Sequence, residues 1–324
     1  MKQSSHRLML IVNPVSGTSS KRGVVQLIEQ RLREMGHEVD TQLTVCRGDA
    51  TRLAKKAVAE GFDGVLACGG DGTVNETATA LLGTDVALGI LPAGSGNGLA
   101  RHIGIPVDPI AALNVIRHDK ITDCDYCTVN GRPFFCTFGV GFDAAVSHRF
   151  ATQRRRGLMM YLKSAIDEFI TYNPETYTLL AGDQEVTEQA FLIAACNASQ
   201  YGNNAFIAPE ASITDGLLDI TVIHKGNPIS QALVGVDLLT GFIGKNALID
   251  TIRVRHCTII RNKPGIAHID GEPVEMDARL DIECHPGELK IFVPGKRERF
   301  RPLLTPFRMF TRDIGVNITK IFSK

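Results

Sequence analysis

The chain has 324 residues, 44% of them hydrophobic and 22% charged, with 35 Lys and Arg against 35 Asp and Glu. That length and apolar content suit one or two globular domains with buried cores, and the neutral balance speaks against bulk nucleic-acid binding, so no nucleic-acid partner is expected. No apolar run approaches the roughly 20 residues needed to cross a membrane.

Arg7-Leu-Met-Leu-Ile-Val12 ends at once in Asn13-Pro14. It reads as a first strand, Leu8–Val12, and not as an export signal, so a cytoplasmic location is expected. Further strand signals follow at Glu38–Leu43, Gly64–Cys68 and Val86–Leu91. Helical stripes lie between them, one through Val24, Ile28, Leu32 and Met35 and another through Leu53, Ala57 and Val58. This alternation predicts an α/β domain over residues 1–122 with a parallel sheet covered on both sides.

Ligands of such sheets bind at the carboxyl ends of the strands. Three Gly-rich or polar turns fall there: Asn13–Gly17, Gly69–Thr73 and Pro92–Asn97. Three on one edge predict a phosphate-binding crevice. The middle turn runs into a helix with apolar residues at Val74, Ala78, Leu81 and Leu82. Glycines there let a ligand approach the backbone, and the helix start attracts an anion. Asp71 would repel a bare phosphate. It suits either a metal-bound phosphate or a proton to be taken, or else it caps the helix.

From about Asp123 the pattern changes to short β-rich stretches separated by turns such as Asn130-Gly131, Thr214-Asp-Gly216, Asp270-Gly271 and Pro286-Gly287. A mainly antiparallel β-sandwich second domain is expected over 123–295. Two helical insertions stand out: Gly157–Tyr172, after the basic Arg154–Arg156, and the long apolar Ile229–Lys245.

The eight cysteines show no pairing rhythm, and in a chain without an export signal they are expected to be reduced and buried. Cys124-Asp-Tyr-Cys127 lacks a second pair at zinc spacing. Gly139-Val-Gly-Phe-Asp-Ala144 fits a dinucleotide fingerprint but lies outside the βαβ region. His102, His224 and His268 are isolated, with ordinary core or surface explanations.

Asn13–Gly17, Gly69-Gly-Asp-Gly-Thr-Val-Asn-Glu76, Pro92-Ala-Gly-Ser-Gly-Asn97 and Ile269-Asp-Gly-Glu272 occur in one order. These motifs resemble the diacylglycerol kinase and sphingosine kinase family, in its bacterial diacylglycerol-kinase-like branch. The resemblance spans about residues 8 to 295. It implies an α/β nucleotide-binding domain, a β-sandwich lipid-binding domain, ATP and Mg²⁺ as cofactors, and transfer of the γ-phosphate to a lipid hydroxyl. It carries over Asn13, Thr44, Gly69, Gly70, Asp71, Gly72, Thr73, Val74, Asn75, Ser95 and Asp125 as nucleotide contacts, with Asp71 in the polar network around Mg²⁺. It places a structural Mg²⁺ at Asp215 with the carbonyls of Ser212 and Leu217, where a plain Asp-Gly turn is the other reading. The proton acceptor lies in the Asp-Gly-Glu stretch, with Asp270 first and Glu272 second.

The lipid stays open. Gly98 stands where many bacterial members have aspartate, and Ala145 and Ser147 stand where sphingosine kinases are acidic. The competing classes are a kinase of a soluble substrate such as NAD and a non-catalytic nucleotide- or lipid-binding regulator. The resemblance also implies a lipid substrate met at the inner face of a membrane, and leaves room for a homodimer. Lys296–Lys324 is basic with interleaved apolar residues. It reads either as a tail packed back on the first domain or as a surface that touches anionic lipid.

Overall fold

Strands that alternate with amphipathic helices can bury their apolar faces only in layers. The computed structural model, which describes residues 5–16, 22–152, 165, 167–169, 171–295 and 300–322, has that arrangement at its start. Strands β1 (Arg7–Val12), β2 (Glu38–Leu43), β3 (Gly64–Gly69) and β4 (Ala87–Pro92) run parallel in the order β2-β1-β3-β4. The intervening helices are α1 (Arg22–Glu34), α2 (Asp49–Ala59), α3 (Asp71–Leu81), α4 (Gly98–Ile103) and α5 (Pro109–His118). Every residue of β3 and β4 is buried, as in parallel strands covered on both faces.

The chain divides into two compact units. One comprises Met1–Cys124, Gly287–Arg299 and Thr311–Lys324, and the other Asp125–Pro286 and Phe300–Phe310. The second holds most of β5 (Ile121–Val129), then β6 (Arg132–Phe134), β7 (Thr137–Gly141), α6 (Phe142–Ala151), β8 (Glu175–Ala181), β9 (Gln184–Cys196), β10 (Leu218–His224), α7 (Pro228–Thr240), β11 (Ile249–Val254), β12 (His256–Arg261), β13 (Gly265–Ile269), β14 (Glu272–Met276) and the start of β15 (Arg279–Phe292). The pairings β7 with β9 and β13, β9 with β8 and β10, β12 with β8 and β15, β10 with β11 and β13 with β14 are all antiparallel.

The pleat of β9 shows how this β-sandwich-like unit is held. Ile193 and Ala195 pack with Leu218, Ile259 and Leu280 on one face. Leu192, Ala194 and Cys196 pack with Ile207, Val234 and Ile243 on the other. Period-two alternation with both faces apolar requires cover on both sides.

Two expectations need amendment. The helix expected over Ile229–Lys245 stops at Gly241, which is left-handed (φ 78°) and packs beneath the Phe300 ring, and only a 3₁₀ turn follows at Ile243–Lys245. Cys46 is exposed in the loop before α2, while the other seven free cysteines are buried. The basic tail is helical, as α8 (Leu304–Phe322). Gly17, Arg154–Arg156, most of Gly157–Tyr172, and Lys296, Arg297, Glu298 and Arg299 lie outside the described residues.

Candidate functional site

In the first unit, three turns leave the carboxyl ends of the neighbouring strands β1, β3 and β4, so strand order alone places them side by side. Short hydrogen bonds then tie them together. The Asn13 amide donates to the Cys68 carbonyl at 3.0 Å, and Asn13 Nδ2 donates to Thr73 Oγ1 at 3.1 Å. The Ala93 amide donates to the Gly69 carbonyl at 2.8 Å, and the Thr44 amide to the Val12 carbonyl at 2.9 Å.

Asp71 joins the second turn to the third. Its Oδ2 accepts from the Asn97 amide at 2.8 Å and its Oδ1 from the Gly98 amide at 2.7 Å. Those amides open α4, so Asp71 caps a helix other than its own, and α3 is preceded by Gly70 without a side-chain cap. Asn97 holds the left-handed conformation (φ 54°) and closes its turn onto Gly94, with Oδ1 accepting from the Gly94 amide at 3.1 Å and Nδ2 donating to the Gly94 carbonyl at 2.9 Å. Gly94 itself is required. A Cβ there would sit 2.5 Å from Gly70 Cα, so any side chain would part the two turns.

What remains of the predicted nucleotide set is arranged around this knot. Gly72 and Thr73 follow Asp71 in the first turn of α3, Thr73 and Val74 are buried, Asn75 is half-buried and Ser95 is exposed. Glu76, quoted in the motif without a role, accepts from the Gly48 amide at 2.9 Å and the Ala50 amide at 3.2 Å, and so caps α2. The amides of Val45 and Cys46 and the Arg52 guanidinium hold Asp49, at the start of that helix, below the usual carboxylate range.

The second unit carries the other predicted residues. Asp270 sits in the β13–β14 turn at φ 49°. Its carboxylate accepts from the amides of Phe135 (3.0 Å), Cys136 (2.7 Å) and Thr137 (3.1 Å). Glu272, on the far side of the turn, is exposed. Beneath the hairpin lies a polar cluster that motif reading missed. His268 Nε2 meets Asp143 Oδ2 at 3.0 Å, both side chains being almost fully buried, and Tyr201 Oη donates to the same oxygen at 2.8 Å. The Gly271 amide donates to His268 Nδ1 at 3.4 Å, which leaves the Nε2 proton for Asp143. Asp143 belongs to the Gly139–Ala144 fingerprint. Its strand β7 lies antiparallel between β9 and β13, so no βαβ crossover exists there.

Asp125 is buried on β5, with Oδ2 accepting from the Gly216 amide at 2.7 Å and its own amide donating to the Ile213 carbonyl at 2.7 Å. It therefore straps the loop that holds Ser212, Asp215 and Leu217. In that loop Asp215 is exposed and accepts from the Leu217 amide at 3.1 Å. Nearby Asp219 is raised above the usual carboxylate range by burial, although Arg253 pairs with it at 3.0 Å. Among the described residues, no group of three or more His, Cys, Asp or Glu side chains could hold a metal. A metal at Asp215 would rest on one carboxylate and backbone carbonyls.

A parallel sheet with glycine turns at its carboxyl edge and a β-sandwich-like unit carrying an Asp-Gly-Glu hairpin define a protein of the two-unit α/β plus β class. Residues 7–129 match the diacylglycerol kinase catalytic domain, and residues 136–293 match the YegS C-terminal NAD kinase beta sandwich-like domain. The chain is 31% identical over 268 residues to a protein of Pseudomonas aeruginosa named "Probable lipid kinase YegS-like", covering 81% of this chain and 87% of that one. It is 28% identical over 226 residues to a diacylglycerol kinase of Bacillus subtilis, covering 68% and 75%. Its fold resembles the crystal structure of a diacylglycerol kinase from Bacillus anthracis, with TM-score 0.69 and 20% identity over 90% of this chain and 97% of that one. The chain belongs to the diacylglycerol-kinase-like family of lipid kinases.

Proposed function

We propose that this kinase transfers the γ-phosphoryl group of ATP to a hydroxyl of a lipid of the diacylglycerol or sphingoid type. The observation that carries the reading is the joining of the three carboxyl-edge turns, the first to the second by Asn13 and the second to the third by Asp71, which bridges the start of α3 to the start of α4. The start of α3, which has no side-chain cap, and the glycine backbones beside it suit a polyphosphate. Asn13, Thr44, Gly69, Gly70, Gly72, Thr73, Val74, Asn75 and Ser95 surround or support that edge, and Asp125 belongs with them only through the family resemblance.

The donor chemistry fits a hard divalent cation at two places. Asp71 supplies a carboxylate at the strand edge, an oxygen donor of the kind Mg²⁺ takes. Asp215 with the Ser212 and Leu217 carbonyls offers the few oxygens that Mg²⁺ supplements with water. When bound, Mg²⁺ neutralises phosphate charge. In a loose phosphoryl-transfer transition state the protein's task is positioning. Three amides fix the Asp270 carboxylate in one orientation, as a group that accepts the lipid hydroxyl proton at a set point must be. Glu272, one turn residue away and exposed, would help hold a metal and its water when Mg²⁺ is bound.

The test is ATP turnover by the purified chain against a panel of diacylglycerol, monoacylglycerol, ceramide and sphingoid bases in detergent, with NAD as the soluble alternative. Phosphorylation of one lipid class sustains the reading. Phosphorylation of NAD alone, or no transfer to anything, overturns it.

A further inference from the structure

More than half of the large apolar side chains left exposed among the described residues fall in two short segments of the second unit. On α7 they are Ile229 (77% exposed), Leu233, Val236 and Leu239. Their spacing of four, three and three residues sets them on one face of the helix, opposite the buried Gln231 and Val234. The second set is Leu303, just before α8, with Leu304, Phe307 (66% exposed) and Phe310 spaced three residues apart along it. The two segments are bonded at their ends. The Leu303 amide donates to the Thr240 carbonyl at 2.9 Å, and Phe300 packs on Phe206, with ring centroids 4.9 Å apart.

Basic side chains flank these stripes. Arg301, Arg308 and Arg312 are exposed around the second stripe, and Lys225 is exposed just before α7. The acidic groups are turned to other uses. Asp237, the one charged residue of α7, accepts from Asn246 Nδ2 at 2.6 Å, and Asp313 pairs with Arg101 at 2.6 Å. Helices with Leu, Ile and Phe on one face and arginine beside it are the composition of segments that lie in a bilayer interface and favour anionic headgroups. Exposed apolar side chains gathered in this way also mark an interaction site in general.

We infer that α7 and the 300–310 segment together form the surface by which this kinase docks on an anionic lipid bilayer. The inference rests on the lipid-kinase reading for its motive, but the test is independent of catalysis. The chain contains no tryptophan, so Ile229→Trp and Phe307→Trp each install a single fluorescent reporter on the face. Both should move to shorter emission wavelength on adding vesicles of phosphatidylcholine with phosphatidylglycerol, and much less with phosphatidylcholine alone. Leu233→Glu and Phe307→Glu, changed at exposed positions, should keep the thermal midpoint and the activity on detergent-dispersed short-chain lipid. Their co-sedimentation with the anionic vesicles should fall about tenfold or more. High salt should weaken binding of the unaltered chain without abolishing it, since only the charged part is screened.

Unchanged vesicle binding in both Glu variants, or reporters whose emission does not move, overturns the inference. So does a dimer of the unaltered chain in sedimentation that the Glu variants convert to monomer without loss of vesicle binding, because a second copy then covers the face. Normal docking with no phosphoryl transfer to any lipid would leave this surface standing and sink the kinase reading instead.

Discussion

Asp71 and Gly98 are joined at 2.7 Å across two loops, from the carboxylate that opens α3 to the amide that opens α4. The sequence offered Asp71 either a metal-site role or a capping role on its own helix, and the bond shows that its capping reaches the neighbouring turn. Asp71→Asn removes the charge and sets an NH₂ group against either Asn97 N–H or Gly98 N–H. The loss should be about 1–3 kcal/mol of stability, for one amide left without its acceptor. The turnover rate should fall about 10²-fold or more, through a displaced helix start and a lost charge. Hydrogen exchange should locate the loosening in α4. Near-normal kcat with intact protection there would remove Asp71 from the mechanism.

Thiol reactivity gives a check on the core. Cys46 alone is exposed, and the other seven cysteines are buried. Burial pushes the Cys257 thiol up to about 12 and raises Cys196 well above its ordinary value. An acid whose folded pKa is raised stays protonated as pH climbs past the unfolded pKa, so neither thiol supplies thiolate at pH 8. An aromatic disulfide reagent should therefore titrate one thiol per native chain at pH 8 and eight after denaturation. A rapid second equivalent in the native protein would contradict the burial of the other seven thiols.

The Asp143–His268 pair sets the requirement for Gly139. A Cβ on Gly139 would lie 2.5 Å from His268 Nε2 and closer still to Asp143 Oδ2. Gly139→Ala must then separate the two buried groups, leaving His268 without its carboxylate, at a cost of about 3–5 kcal/mol. The softer variant Tyr201→Phe removes one donor to Asp143 and should cost about 1–2 kcal/mol. If His268 positions the hairpin, Tyr201→Phe should lower kcat with little change in KM for ATP. Denaturant unfolding of both variants measures the first effect, and steady-state kinetics the second.

The parallel sheet was legible because its strands are apolar runs bounded by turn residues, and the four expected strands lie within a residue of the observed ones. The three turns were legible because glycine and asparagine at strand ends carry a local conformational signal. The cross-connections were not. Nothing near Asp71 in the chain points to Gly98, 27 residues on, and nothing near His268 points to Asp143, 125 residues away. Such pairs depend on which strands become neighbours, and period-two patterning fixes faces but not partners. The Gly139–Ala144 motif was rightly set aside as a dinucleotide site, but its actual use was not legible: its glycine makes room for the pairing of Asp143 with His268 from another strand. The end of α7 at Gly241 could have been read from the glycine itself as a helix stop.

The Asp-Gly-Glu hairpin is where geometry and chemistry can be separated most sharply. Asp270 takes three amides from the Phe135–Thr137 strand entrance, and its own amide donates to the Thr137 carbonyl at 2.8 Å. It therefore has a structural task in addition to the proposed chemical one. Asp270→Asn turns an NH₂ group toward donors and should lower both the unfolding free energy, by about 1–3 kcal/mol, and kcat, by roughly 10²–10⁴-fold, with ATP affinity little changed. Glu272 is exposed, so Glu272→Gln should leave the thermal midpoint where it is. If Glu272 serves the metal, turnover should fall and the Mg²⁺ concentration needed for half-maximal rate should rise. Calorimetry of both variants and kinetics across a Mg²⁺ titration distinguish the roles. A destabilised Asp270→Asn chain that nonetheless turns over normally would leave Asp270 an anchor only. A Glu272→Gln chain with a large fall in kcat and an unchanged Mg²⁺ requirement would make Glu272 the proton acceptor.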